Sequence, residues 1–467
     1  MDRRDLLKAA LAAASATALA GCGRGLRNLL GNSDLGFAEP LPNPEPIART
    51  LNRVGYGFNL KVAKEVAEKG REAWIESQIA ADEEEDPWLV LQIERLDVFR
   101  LGPAELRDLP EEEVVRQLQQ ATILRAVYSR NQLLERMVEF WSDHFNIYAR
   151  KRFEAWRKPM DEISVIRRHA LGKFPDLLRA SAKSPAMLEY LDNDRNNKAK
   201  PNENYARELM ELHTLGVHGG YTQEDVQQVA RCFTGWTIEN RFGRARGTFR
   251  FDESQHDFGE KVVLGHRIPA GGGVEDGEQV LQILATHPST AKFIAGKLVA
   301  RFLGDGFEGW RDRLAEIYLQ TGGDIRAMLR PLLLSDDLLH APPLPKRPFD
   351  FVASSLRALA AATDGRGVLP YLRAMGQPSH EWPMPDGYPN ETESWTGSLL
   401  ARWNFAIALL SGDVKGVQID EILRQQPVEA ILGRKPGEDP LSRLIAERRD
   451  PRERIALCLC SPEFQWR

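Results

Sequence analysis

Asp192, Asp194, Asn196 and Glu203 stand at positions one, three, five and twelve of a polar run that extends from Tyr190 to Asn204. A calcium-binding loop places oxygen ligands at these positions, and hard oxygen donors suit calcium or another divalent cation. Position six is Asn197 instead of glycine, position eight is Ala199, and Pro201 interrupts the end of the run. Two readings therefore stand: a divalent-cation site, or a turn whose Asx side chains cap the backbone and the next helix. That next helix, predicted over 203–215, carries Glu203, Arg207 and Glu211 four residues apart, a spacing that makes surface ion pairs. Glu208 falls beside the apolar stripe of Tyr205, Leu209 and Leu212, where a carboxylate needs a partner. Arg231 or a histidine is the expected partner, and Glu208 is the candidate acid/base. His213 lies on another azimuth of the same helix. His144, in Glu139-Phe140-Trp141-Ser142-Asp143-His144-Phe145, sits on an aromatic face and reads either as a core residue or as a proton carrier. His256 opens a polar turn, His256-Asp257-Phe258-Gly259-Glu260-Lys261, whose competing reading is hairpin geometry. Gly271-Gly272-Gly273 precedes a predicted helix but lacks the residues that accompany phosphate-binding loops.

These side chains need elements to hold them, and most of the chain has helical period. Val114, Leu118, Ala121, Leu124 and Tyr128 repeat on one face after Pro110 and the acidic turn of Glu111, Glu112 and Glu113. Leu133, Met137, Phe140, Trp141 and His144 continue the pattern. Further helices are predicted over 187–191, begun by Ser184 as cap and Pro185, and over 225–233, 278–285, 291–303, 325–334, 349–361 and 399–410. Strand signals are sparse; the best are 247–251 and 261–264, expected to pair as one hairpin. The fold class is thus mainly α: a multi-helix globular body with a small β-hairpin and a Pro-rich C-terminal loop over 377–389. No βαβ alternation indicates a nucleotide-binding sheet. The sequence contains no Gly-x-Ser-x-Gly elbow, no His-Glu-x-x-His and no Cys/His zinc spacing.

A chain of 467 residues, 42% hydrophobic and 28% charged, can bury a large core, and a net charge of −5 gives no electrostatic reason to expect nucleic acid. Its N-terminus reads as an address. Arg3-Arg4 resembles a twin-arginine export signal, Ala9 to Ala20 forms a weakly apolar run too short to span a bilayer, and Leu19-Ala20-Gly21-Cys22 resembles a lipobox. The expected organisation is a signal peptide over 1–21, a lipidated Cys22 opening a flexible tether over 22–46, and a helical body over 47–467. The protein would then be an extracytoplasmic lipoprotein of the cell envelope. With Cys22 acylated, Cys232, Cys458 and Cys460 remain, an odd number that argues against a disulfide framework and for buried thiols.

Segments spread along the body together resemble the bacterial family known as domain of unknown function 1800. They include Leu51-Asn52-Arg53-Val54-Gly55-Tyr56-Gly57, Phe140-Trp141-Ser142-Asp143-His144-Phe145, Pro201-Asn202-Glu203-Asn204-Tyr205-Ala206-Arg207-Glu208-Leu209, Thr234-Gly235-Trp236 and Ser461-Pro462-Glu463-Phe464. The resemblance implies a mainly helical exported protein, often encoded beside a member of domain of unknown function 1501, and no established reaction. Asp194 is not a position of the family pattern. The leading expectation is a membrane-anchored hydrolytic enzyme with Glu208 as acid/base, His144, His213 or His256 near it, and a cation near Asp192 and Glu203. The alternative is a non-catalytic lipoprotein that docks or matures a partner such as the domain-1501 protein.

Overall fold

Proline at the first turn and an Asp, Asn, Ser or Thr just before it start many of the helices, because the missing proline N–H is not needed there and the side chain satisfies a free amide. Asp86 accepts from Trp88 N before Pro87–Glu94, and Asp450 accepts from Arg452 N before Pro451–Cys460. Thr222 and Asp225 cap Gln223–Cys232 reciprocally. The computed structural model describes residues 44–81, 84–240, 247–420, 427–435, 437 and 440–467. The twin-arginine segment and Cys22 lie outside the described residues. The first described helix, Pro44–Val54, takes in the last prolines of the predicted tether. Among the described residues, no helix is long and apolar enough to cross a membrane.

The protein is mainly α, with three two-stranded antiparallel ribbons among the described residues. Its contacts divide it into two units. The first joins the N-terminal helices Pro44–Val54 and Leu60–Lys69 to Pro343–Gln377 and Asn390–Arg467. Its core packs Phe351 against Phe405 and Phe464. The second unit comprises Ile75–Pro342 together with the Pro-rich segment Pro378–Pro389. Its core runs through Trp141, Phe145, Phe174, Leu298 and Tyr318, all buried. The helix Glu111–Tyr128 is buried nearly all round, and its polar face is satisfied internally. Gln119 donates to Ser379 O and Glu381 Oε1, both at 2.8 Å, and Gln117 accepts from Val98 N at 3.2 Å.

The predicted single hairpin forms as two separate ribbons. Strand β1 (Trp236–Ile238) pairs with β2 (Phe249–Phe251), whereas β3 (Lys261–Val263) pairs with β4 (His266–Ile268). The third ribbon, β5 (Ala362–Thr363) with β6 (Val417–Gln418), belongs to the first unit. The physical reason lies in Leu264-Gly265: both have positive φ, +49° and +77°, which makes the tight two-residue turn that returns the chain at once.

Candidate functional site

Three polar clusters are built into the second unit. The first starts from a departure in helix geometry. The predicted 203–215 helix begins as α-helix Glu203–Glu208 and continues as a π-helix over Leu209–Thr214. Leu215 N bonds to Met210 O at 2.9 Å and Thr214 Oγ1 to Leu209 O at 2.7 Å, both five residues back. This wider turn rotates the following residues away from the α-helical phase. His213, instead of Leu212, therefore enters the core. There it meets His144 at the end of the helix Gln132–His144, with ring centroids 6.0 Å apart.

His144 uses both ring nitrogens. Lys297 Nζ lies 3.0 Å from Nδ1, and Nε2 lies 3.0 Å from His213 O. An ammonium can only donate, so Nδ1 accepts and Nε2–H donates to the carbonyl. Burial, then the Lys297 and His213 charges, hold the His144 pKa well below its usual value. Burial and Lys297 push His213 down to about 3, and its Nε2 is buried without a hydrogen-bond partner. Lys297 comes from the helix Pro288–Phe302, and burial pushes its ammonium down to about 8 against the attraction of Asp143 and Asp386.

Glu208 lies half-buried immediately before the π segment. Burial raises its pKa, and the charges of Glu211 and Asp386 raise it further, while Arg207 opposes them. Arg207 itself reaches Glu203 at 3.1 Å and Glu211 at 3.8 Å, as the spacing predicts. The expected Arg231 partner of Glu208 is engaged elsewhere, 2.7 Å from Asp257. Asp386 is carried by the Pro-rich segment, which is tied down by its backbone. Asn146 donates to Trp382 O and Met384 O at 2.9 and 2.6 Å, and Tyr190 donates to Pro383 O at 2.8 Å. A Cβ on Gly387 would stand 2.2 Å from Asp143 O, so only glycine, here with φ +78°, permits that approach.

The loop 192–203 is occupied with itself. Asp192, at φ +61°, pairs with Arg152 at 2.8 Å and Lys151 at 3.6 Å. Asn196 is buried; its amide donates to Asn193 Oδ1 and Ala230 O, and its oxygen accepts from Asn202 N. Asn202 caps the following helix, and Glu203 accepts from Arg207 and Gln223. Asp194 keeps one buried oxygen without a partner, and burial raises its pKa. Asp192, Asn196 and Glu203 thus turn to three different sets of partners. Among the described residues, no group of three or more His, Cys, Asp and Glu side chains is gathered to hold a metal.

His256 belongs to the second cluster. Its Nδ1 lies 2.7 Å from Thr234 O and its Nε2 3.2 Å from Asp276 Oδ2, and Lys261 Nζ reaches the same Asp276 oxygen at 2.5 Å. His256 and Asp276 are 0% exposed and Lys261 1%. Lys261 also donates to Asp257 O. The Gly271-Gly272-Gly273 run serves this knot: a Cβ on Gly272 would stand 1.9 Å from Asp276 Oδ1. The third cluster is also internal. Lys158 lies 2.9 Å from Asp161 and 3.2 Å from Glu162, which starts a second π segment, Glu162–Arg167. Ser142 donates to Glu162 at 3.0 Å. Ser184 makes no side-chain cap; its hydroxyl donates to Asp161 at 2.7 Å.

Of the predicted site residues, the fold joins His144 and His213 and puts Glu208 on the same helical segment as His213, while His256 is sealed into a different cluster. Lys297, Asp386 and Tyr190 were not foreseen in this site. Lys297 stands three residues after Ile294 in an apolar helical pattern, and a polar residue at that phase was its only local signal. Among the described residues, the free thiols are Cys232 and Cys458, both buried, and the half-buried Cys460; burial raises the pKa of all three.

No curated protein and no solved structure matches this chain. The family model described as a protein of unknown function, DUF1800, matches residues 49–466. With nearly all of its helical body covered by that match, the chain belongs to the DUF1800 family.

Proposed function

We propose that this protein is an exported, membrane-anchored enzyme of hydrolytic type in which Glu208 is the acid/base group. The observation that carries the reading is a half-buried carboxyl whose pKa is raised by burial and by two neighbouring acids, Glu211 and Asp386. A carboxyl held up in this way retains its proton closer to neutrality and can deliver it to a leaving group. Tyr190 and Asp386 share its neighbourhood: each of the two carboxylates raises the Tyr190 pKa. His144 and His213 serve as neutral supports, since both nitrogens of His144 are committed and burial opposes protonation of either ring. The reading gives loop 192–203 a structural part and His256 none in the reaction. Export and anchoring rest on Arg3-Arg4, the apolar run and Cys22.

The test is hydrolysis of p-nitrophenyl acetate, p-nitrophenyl phosphate and a p-nitrophenyl glycoside by the purified protein and by Glu208→Gln. The reading expects turnover of one class, reduced about 100-fold or more by the substitution with the fold intact. Turnover of none of them above buffer, or equal turnover by both proteins, overturns it. The competing docking role draws on the diversion of Asp192, Asn196, Glu203 and His256 into internal pairs, and it expects turnover of none of the three substrates.

A further inference from the structure

The Glu208 reading leaves an amine unused. Lys297 is half-buried, so part of its surface is open, while its Nζ turns inward to His144 Nδ1 at 3.0 Å and lies 5.3 Å from the centre of the Phe293 ring. Among the described residues it has no ion pair within 4.0 Å. Asp143 and Asp386 act on it over longer range, and His213 is the other titratable group that feels its charge. The nearest partner is thus a neutral imidazole, which holds the amine in place by accepting one hydrogen and supplies no negative charge to keep it protonated. A lysine in an apolar, weakly compensated setting is the side chain suited to condense with carbonyl compounds.

We propose that Lys297 is a nucleophilic amine that captures an aldehyde or ketone as an imine. The amine lone pair attacks the carbonyl carbon, the carbonyl oxygen gains a proton, and the nitrogen loses one, which gives a carbinolamine. The hydroxyl then leaves as water with a proton from Glu208, whose neighbour Asp386 acts on Lys297 as well, and the nitrogen returns its remaining proton to that carboxylate as the C=N bond forms. Amine and carbonyl are consumed, imine and water are produced, and no redox partner is required. His144 is a positioning residue in this scheme. The inference deepens the Glu208 reading through the proton donor alone, and the experiment separates the two.

The probe is propanal with sodium cyanoborohydride at pH 7.5 on the intact wild-type chain, followed by peptide mass mapping, with exposed Lys292 of the same helix as internal standard. At this pH an amine with a pKa of about 8 is roughly one-quarter neutral, against about 0.1% for a pKa of 10.5. Lys297 is expected to be alkylated at least about tenfold faster than Lys292, with the ratio falling as pH is raised toward 10. His144→Gln should move the pH midpoint of Lys297 labelling. Labelling of Lys297 no faster than Lys292 overturns the assignment. If Lys297 is fast but equally fast in Glu208→Gln, the amine stands and the proton-donor role of Glu208 falls.

Discussion

Asp276→Ala tests whether the His256 cluster holds the fold together or belongs to a reacting site. Asp276 Oδ2 is the common partner of Lys261, at 2.5 Å, and His256, at 3.2 Å, and all three side chains are buried. Removing the carboxylate leaves the Lys261 ammonium with the Asp257 carbonyl and deprives His256 Nε2 of its partner. Breaking a buried pair from one side costs about 3–5 kcal/mol, since the remaining charge is left uncompensated. For a unit of this size that corresponds to a fall in Tm of roughly 10 °C. The assay is thermal unfolding followed by circular dichroism, with Asp276→Asn as a milder variant should the alanine protein not accumulate. Gly272→Ala supplies an independent check, because its Cβ would meet Asp276 Oδ1 at 1.9 Å. The glycine substitution should destabilise the wild type and cost markedly less in the Asp276→Ala background, a coupling that a double-mutant cycle measures directly. A drop in Tm below about 2 °C for Asp276→Ala, or additive costs in the cycle, would refute the reasoning.

Other outcomes follow from the same physics. Glu208 has a folded-state pKa raised above its unfolded value, so its ionisation opposes folding as pH rises; Glu208→Gln should match the wild type below about pH 4 and be at least as stable at pH 7–8, measured by denaturant unfolding. His213 and His380, pushed down to about 3 and 4, and His144, lowered as well, stay neutral when folded, so the stability they contribute is present above about pH 6.5 and is lost as pH falls through their folded values. A stability profile flat from pH 7 to 4 would contradict this. Lys158→Met removes the cation between Asp161 and Glu162 and should cost about 3–5 kcal/mol in chemical unfolding. Cys22→Ser should release the body from membranes on fractionation, and retention of the processed variant would remove the lipid anchor.

Most helices were legible because burial imposes a period that local sequence carries. The boundaries of 325–334 and 399–410 agree with Ile325–Leu334 and Leu399–Ser411 to within a residue. Strand pairing was less legible: 247–251 and 261–264 do contain strands, but their partners depend on the turn at Leu264-Gly265 and on the His256 knot between them. The candidate site was half legible. Glu208 was found from its phase beside an apolar stripe, whereas its neighbour Asp386 lies nearly 180 residues away on a loop with no period. His213 was placed on the wrong azimuth because a uniform 3.6-residue repeat cannot show where a helix widens. The Asx positions of 192–203 matched a ligand pattern that the same side chains satisfy with backbone carbonyls and amides.

The two π segments give the arrangement its logic. Glu162–Arg167 and Leu209–Thr214 both meet the helix Gln132–His144, the first through Ser142 and Glu162, the second through His144 and the His213 carbonyl. Next to those contacts Trp141 donates to Ala170 O at 2.9 Å. One short aromatic stretch therefore fixes two helices at the places where their hydrogen-bond ladders are displaced, and a widened turn needs such external support to persist. Because His144 is held at one nitrogen by the displaced His213 carbonyl, its other nitrogen is presented to Lys297 in a single orientation. The geometry of the amine is thus set by a main-chain irregularity more than 80 residues away in sequence, which ties the local cost of the π turn to the placement of the group with the greatest chemical potential in the site.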